Sequence, residues 1–150
     1  MRISLNKFRS AFASRGFRRR VVKALALNQR GEARPDGLSL NHLQDRLQIE
    51  WRARQVHPWD RDLPAARTAQ LFAEQCLDDT NAALERLFSW LLDIDVIEFK
   101  VTHPVSGDLI LSGSVTRFEA RTVRAHSSGM RLKQLGVSYR LRNWQFEPLV

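Results

Sequence analysis

Between residues 47 and 103 the period of the apolar residues changes twice, and that switch constrains the fold more than any other feature of the chain. From 47 to 57 apolar and polar side chains alternate, with Leu47, Ile49, Trp51 and Ala53 on one side and Glu50, Arg52 and Arg54 on the other. A period of two puts the two sets on opposite faces of a half-buried strand. From about 64 to 92 the period lengthens to that of a helix, with Phe72, Cys76, Ala83, Leu87 and Leu91 on one face. Asp62 is the expected N-cap of this helix, and Pro64 falls in its first turn, where a missing N–H costs little. The polar run Asp78-Asp79-Thr80-Asn81 is a candidate kink. Alternation then returns from 96 to 103, with Ile97, Phe99 and Val101 inward.

The rest of the chain extends this alternation of elements. Pro104-Val105-Ser106-Gly107-Asp108 reads as a hairpin turn, and a second strand is expected from 109 to 119 with Gly113 as a bulge. A short helix is expected over 130–135, closed by Gly136, and a last strand from Val137 through Tyr139, Leu141, Trp144 and Phe146. The order β-α-β-β-α-β is that of a ferredoxin-like split β-α-β sandwich, an α+β fold with one four-stranded antiparallel sheet and two helices on one face. A basic amphipathic helix precedes it, which divides the chain into a helical extension (1–31), a linker (32–46) and the ferredoxin-like body (47–150).

Charge supports that division. The net charge of +8 is unevenly spread, since residues 1–31 carry nine Lys/Arg and no acid, 32–119 nine against fifteen acids, and 120–150 six against Glu147 alone. An acidic middle between basic ends argues against a uniformly basic nucleic-acid coat and for basic segments that act as handles. The extension has apolar residues at helical spacing, Leu5, Phe8 and Phe12 and then Phe17, Val21 and Leu25, joined at Gly16. Phe8, Phe12 and Phe17 with Arg18, Arg19, Arg20 and Lys23 form the expected docking surface. Its partner is expected to be an acidic protein surface or a second copy of the chain. The same arginines would also suit phosphates or anionic headgroups, and an acid-free, Arg-rich, Ser-containing segment also fits an organellar targeting signal. The plainest structural reading is that the apolar stripe packs on the acidic body.

The body offers two further sets of polar residues. In a ferredoxin-like sheet the first strand lies beside the fourth. Arg52 and Arg54 would then neighbour Arg140 and Arg142 on the open face, an anion-binding arrangement suited to phosphate or carboxylate oxygens. That face lacks stacking aromatics and the RNA-recognition signature, so phosphate-directed binding is the nucleic-acid mode it leaves open. His57, Asp60 and Asp62 in the run His57-Pro58-Trp59-Asp60-Arg61-Asp62 form a low-ranked turn site, where His57 would carry a proton. The alternative is a capped turn with Trp59 plugging the rim of the core.

Nothing points to an enzyme. No nucleophile elbow, phosphate loop or dinucleotide-binding glycine pattern occurs, the histidines lack metal-ligand spacing, and no cofactor or metal is called for. Cys76, the lone cysteine, sits on the apolar face of the long helix. It cannot form an internal disulfide, which suits the reducing cytoplasm. No apolar run reaches the ~20 residues of a transmembrane helix. The chain is expected to be a small non-catalytic binding or adaptor module that docks through its basic helix. The alternatives are a phosphate-backbone nucleic-acid binder and, third, an enzyme at the His57–Asp62 turn.

Overall fold

The computed structural model describes residues 15–25 and 38–149. Phe8, Phe12 and residues 32–37 of the expected linker lie outside these residues. Helix α1 (residues 15–25) is followed by strands β1 (Ser39–Leu43) and β2 (Arg46–Arg52), helix α2 (Ala65–Trp90), and strands β3 (Val96–Thr102) and β4 (Leu109–Thr116). Two short helices, α3 (Arg117–Thr122) and α4 (Ser128–Gln134), lead to a small hairpin of β5 (Leu141–Arg142) and β6 (Gln145–Phe146). The chain is thus α+β, with a four-stranded sheet behind an N-terminal helix.

The sheet is mixed and not antiparallel as expected. Its order is β1-β2-β3-β4, with β2 and β3 parallel and both outer pairs antiparallel. Two local events produce this arrangement. The first is a tight hairpin: Gln44 and Asp45 are the only residues between Leu43 and Arg46, and the Asp45 carbonyl accepts from the N–H groups of Asp95 (2.7 Å) and Val96 (3.2 Å). Ser39–Leu43, expected within the linker, therefore fills the edge of β2 that a ferredoxin-like fold reserves for its last strand. The second is the direct βαβ crossover, in which α2 returns the chain to the other edge of β2 and leaves no gap for an intervening strand. The last expected strand is reduced to a single antiparallel bridge between Ser112 and Ser138, followed by the β5–β6 hairpin.

One face of the sheet carries the core. Leu47, Ile49 and Trp51 of β2 and Ile97, Phe99 and Val101 of β3 are buried, and the rings of Trp51 and Phe99 stack at 5.8 Å. Against them α2 buries Ala73, Cys76, Leu77, Thr80, Ala83, Leu84, Leu87 and Phe88, a helical stripe without a break. The Asp78–Asn81 run does not kink the helix: Asp79 pairs with Arg54, and the Thr80 hydroxyl donates back to the Cys76 carbonyl at 2.8 Å. The expected basic extension contributes Phe17, Val21, Ala24 and Leu25 to the same core cluster.

Strand β4 stops three residues earlier than expected because Thr116 begins a helix. Its hydroxyl accepts from the Glu119 N–H while the Glu119 carboxylate accepts from the Thr116 N–H, a reciprocal capping box. Gly113 is no bulge; it pairs in register with Phe99, and the irregularity falls at Val101/Thr102. A Cβ at Gly113 would stand 3.1 Å from Val137 and 3.2 Å from the Phe99 ring, so the glycine is the space those side chains occupy. Gly136, with φ of 82°, ends α4 in a Schellman arrangement: its N–H bonds the Lys133 carbonyl and that of Val137 the Leu132 carbonyl.

Two arginines, Arg131 buried and Arg117 half-buried, tie the helices together. Arg117 donates to the carbonyls of Phe88 (2.7 Å), Leu91 (2.7 Å) and Ile94 (2.5 Å) at the end of α2. Arg131 on α4 donates to Asn81 of α2 and to the Ala120 carbonyl of α3. Neither is free for a ligand.

Candidate functional site

The basic helix presents its charges outward. Phe17, Val21, Ala24 and Leu25 are buried, while Arg15, Arg18, Arg19, Arg20 and Lys23 are exposed. Phe17, expected at the docking surface, instead stacks on His42 of β1 with ring centroids 4.1 Å apart. Arg18 reaches the Leu38 carbonyl, and Arg20 lies over the Phe17 ring at 5.9 Å. Arg15, Arg19 and Lys23 stand four residues apart along one line of the helix, at intervals of about 6 Å. Among the described residues no carboxylate pairs with any of these five cations.

The four arginines expected to share a sheet face are not brought together. Between β2 and the segment carrying Ser138 stand β3 and β4, so about 14 Å separates Arg52 and Arg54 from the start of the segment that leads to Arg140 and Arg142. Arg52 is exposed at the end of β2. Arg54 is held by Asp79, with Nε to Oδ2 at 2.6 Å and NH2 to Oδ1 at 3.1 Å. Burial pushes the Asp79 carboxyl above its ordinary range, and the Arg54 guanidinium offsets only part of that shift. Arg140 and Arg142 are exposed on and before the β5–β6 hairpin. The polar face of the sheet is also internally linked: Asn41 donates to Gln48, Gln48 to Glu98, and Arg46 pairs with Glu98. These two donors lower the Glu98 carboxyl.

The His57–Asp62 turn is a capped turn, but not by Asp62. Residues Pro58–Asp62 form a 3-10 turn whose N-cap is His57, its Nδ1 accepting from the Trp59 N–H at 3.2 Å. Pro64, with no side-chain bond, is the N-cap of α2, and Asp62 is exposed. Trp59 does not plug the core; it is 85% exposed and packs edge-to-face with the His57 ring. Among the described residues, His57, Asp60 and Asp62 line none of the crevices on the sheet face, at the strand ends or beside the Ser138 bridge. Among the described residues no group of His, Cys, Asp or Glu is arranged to hold a metal ion, and no helix is long and apolar enough to cross a membrane. Cys76 is buried against the core, and desolvation pushes its thiol up to about 12. It is no nucleophile.

Comparison with protein-family models, with curated proteins and with solved structures finds no match. Function must be read from the sites themselves.

A crevice of about 760 Å³, which the sequence reading missed, lies at the carboxyl ends of the parallel strands β2 and β3. Its walls are the first turns of α2, the β3–β4 turn and the β5–β6 hairpin. Phe72 stands at its base, with the His103 ring at 5.1 Å and the Phe146 ring at 6.1 Å and nearly perpendicular. His103 Nδ1 accepts from the N–H groups of Val105 (3.1 Å) and Ser106 (3.3 Å), which places the proton on Nε2. Burial lowers the imidazole below its ordinary value, against the opposing pull of Asp108, and holds it neutral. At the mouth Trp144 is 44% exposed and occupies, with Asn143, a two-residue hairpin turn in which both φ angles are positive, 52° and 64°. Asparagine suits that conformation. Tryptophan does not, at a cost of about 1–2 kcal/mol. These residues come from three distant stretches of sequence, so no local motif could have announced them; the one legible oddity was a tryptophan after Asn143, where a glycine is usual.

Proposed function

We propose that the chain is a non-catalytic binding module that docks on an acidic protein surface through the outward face of α1. The observation that carries this reading is the division of that helix: its apolar stripe is consumed by its own body, and Arg15, Arg18, Arg19, Arg20 and Lys23 stand exposed on a fixed scaffold. Cations held on a packed helix lose less conformational entropy on binding than cations on a loose arm, and their field steers an acidic partner from a distance. A second copy offers one such surface, since Glu74, Asp78 and Glu85 are exposed along α2. Phe8 and Phe12 remain apolar anchors of the proposal. The reading assigns the module to the cytoplasm, where the lone thiol of Cys76 stays reduced.

The test compares the full chain with an Arg15→Glu, Arg19→Glu, Lys23→Glu variant against poly-L-glutamate, duplex DNA and anionic vesicles, at low and moderate salt. Polyglutamate should bind the native chain and lose the variant, while light scattering reports any self-association and far-UV circular dichroism stays unchanged. Preference for duplex DNA, with affinity falling steeply with salt, would replace this reading by phosphate-backbone binding. Unaltered polyglutamate binding by the variant would remove α1 from the function.

A further inference from the structure

We infer that the crevice between α2, the β3–β4 turn and the β5–β6 hairpin binds a small, flat, uncharged aromatic compound carrying a hydrogen-bond acceptor. Position is the first argument. In open α/β units ligands settle outside the carboxyl ends of parallel strands, and this crevice stands at the ends of β2 and β3. Its volume of about 760 Å³ suits a small molecule.

The lining defines the chemistry. Phe72, Phe146, Trp144 and Leu63 supply apolar and aromatic walls. Thr68, the hydroxyl nearest the start of α2, is committed to the carbonyls of Asp60, Leu63 and Pro64. The Nε2–H of His103 is different: both backbone bonds occupy Nδ1, and no partner for Nε2 stands among the described residues. It is a neutral donor beside an aromatic wall, which calls for a carbonyl or ring-nitrogen acceptor on the ligand. Asp108 is the one charged residue lining the space among the described residues, and it disfavours acids. Trp144 adds an independent observation. The chain tolerates a bulky residue at positive φ and leaves its indole 44% exposed, so folding recovers little from it, whereas a ligand sandwiched by that ring would.

The experiment titrates the ¹⁵N-labelled full chain with indole-3-acetamide and, separately, with indole-3-acetate. With the amide, the N–H signals of Val105, Ser106 and Ala69 and the Trp144 indole should shift together and saturate. The acetate should bind at least about threefold more weakly because of Asp108. Trp144→Gly, a residue that suits the turn, should weaken amide binding about tenfold. His103→Asn keeps an acceptor for the Val105 and Ser106 N–H groups but lacks the outward donor, and should weaken it about fivefold. Absence of saturable shifts, shifts confined to other surfaces, undiminished binding by Trp144→Gly, or tighter binding of the acetate would each overturn the inference.

Discussion

Replacing Arg117 by methionine should destabilise the fold by about 3–4 kcal/mol, although the residue lies outside both proposed sites. The side chain is only 13% exposed, and its guanidinium donates to three carbonyls at the carboxyl end of α2 and the turn beyond it. Those carbonyls belong to Phe88, Leu91 and Ile94, which the helix itself cannot satisfy. Methionine keeps the packing of the stem but loses all three bonds, at about 1 kcal/mol each, and leaves the Leu91 carbonyl with the Ile94 N–H alone. Removing a cation from a helix carboxyl terminus costs a further ~0.5 kcal/mol or more. For a chain of this size the midpoint of thermal unfolding should fall by about 10 °C. Urea denaturation followed by circular dichroism measures the loss, and Arg117→Lys should recover part of it, since an ammonium can still reach one or two of the carbonyls. A loss below about 1 kcal/mol, or a lysine variant no better than methionine, would refute the assignment of Arg117 as the cap of α2.

Gly113→Ala should cost about 1–3 kcal/mol, because the new Cβ would meet Val137 and Phe99 at 3.1–3.2 Å in a buried layer; chemical denaturation reads this directly. Trp144→Gly should raise stability by roughly 1 kcal/mol by relieving a positive φ, in the same assay, even as it removes a wall of the crevice. Cys76 should resist alkylation in the native state and react only on unfolding. Its folded value, about 12, lies above the ordinary 9.0, so the unfolded chain ionises first as pH rises. The stability associated with the neutral thiol is complete below pH 9.0, falls progressively from there to about 12, and should be removed in Cys76→Ala.

Elements with a strong internal period were legible from residues alone. The alternation at Leu47, Ile49, Trp51 and at Ile97, Phe99, Val101 marked β2 and β3, and the stripe from Phe72 to Leu91 marked α2, because in each the apolar spacing matches the geometry of the element that buries it. The Thr116-Arg117-Phe118-Glu119 cap was equally visible and was passed over in favour of a longer strand. By contrast, Ser39–Leu43 carries a weak apolar signal, with Leu40 and Leu43 three residues apart and out of step with a strand's period of two: it is a short edge strand, exposed at four of its five positions, and shortness limits the pairing an open edge invites.

Which strands neighbour one another was beyond the reach of local pattern. Period and turn residues specify each element but carry no information on its partner, and the two-residue turn at Gln44–Asp45 placed β1 where a distant strand had been expected because closing a short loop costs less entropy than closing a long one. That single pairing separated Arg52 and Arg54 from Arg140 and Arg142. The tertiary structure likewise decided that Phe17 faces inward and the cations of α1 outward, a choice that needs the position of His42. It also brought Phe72, His103, Trp144 and Phe146 together around one crevice. The sequence by itself determined the strongly periodic elements β2, α2 and β3, their apolar faces and the division of charge; packing decided which faces meet, because burial rewards contacts between residues however far apart in the chain they lie.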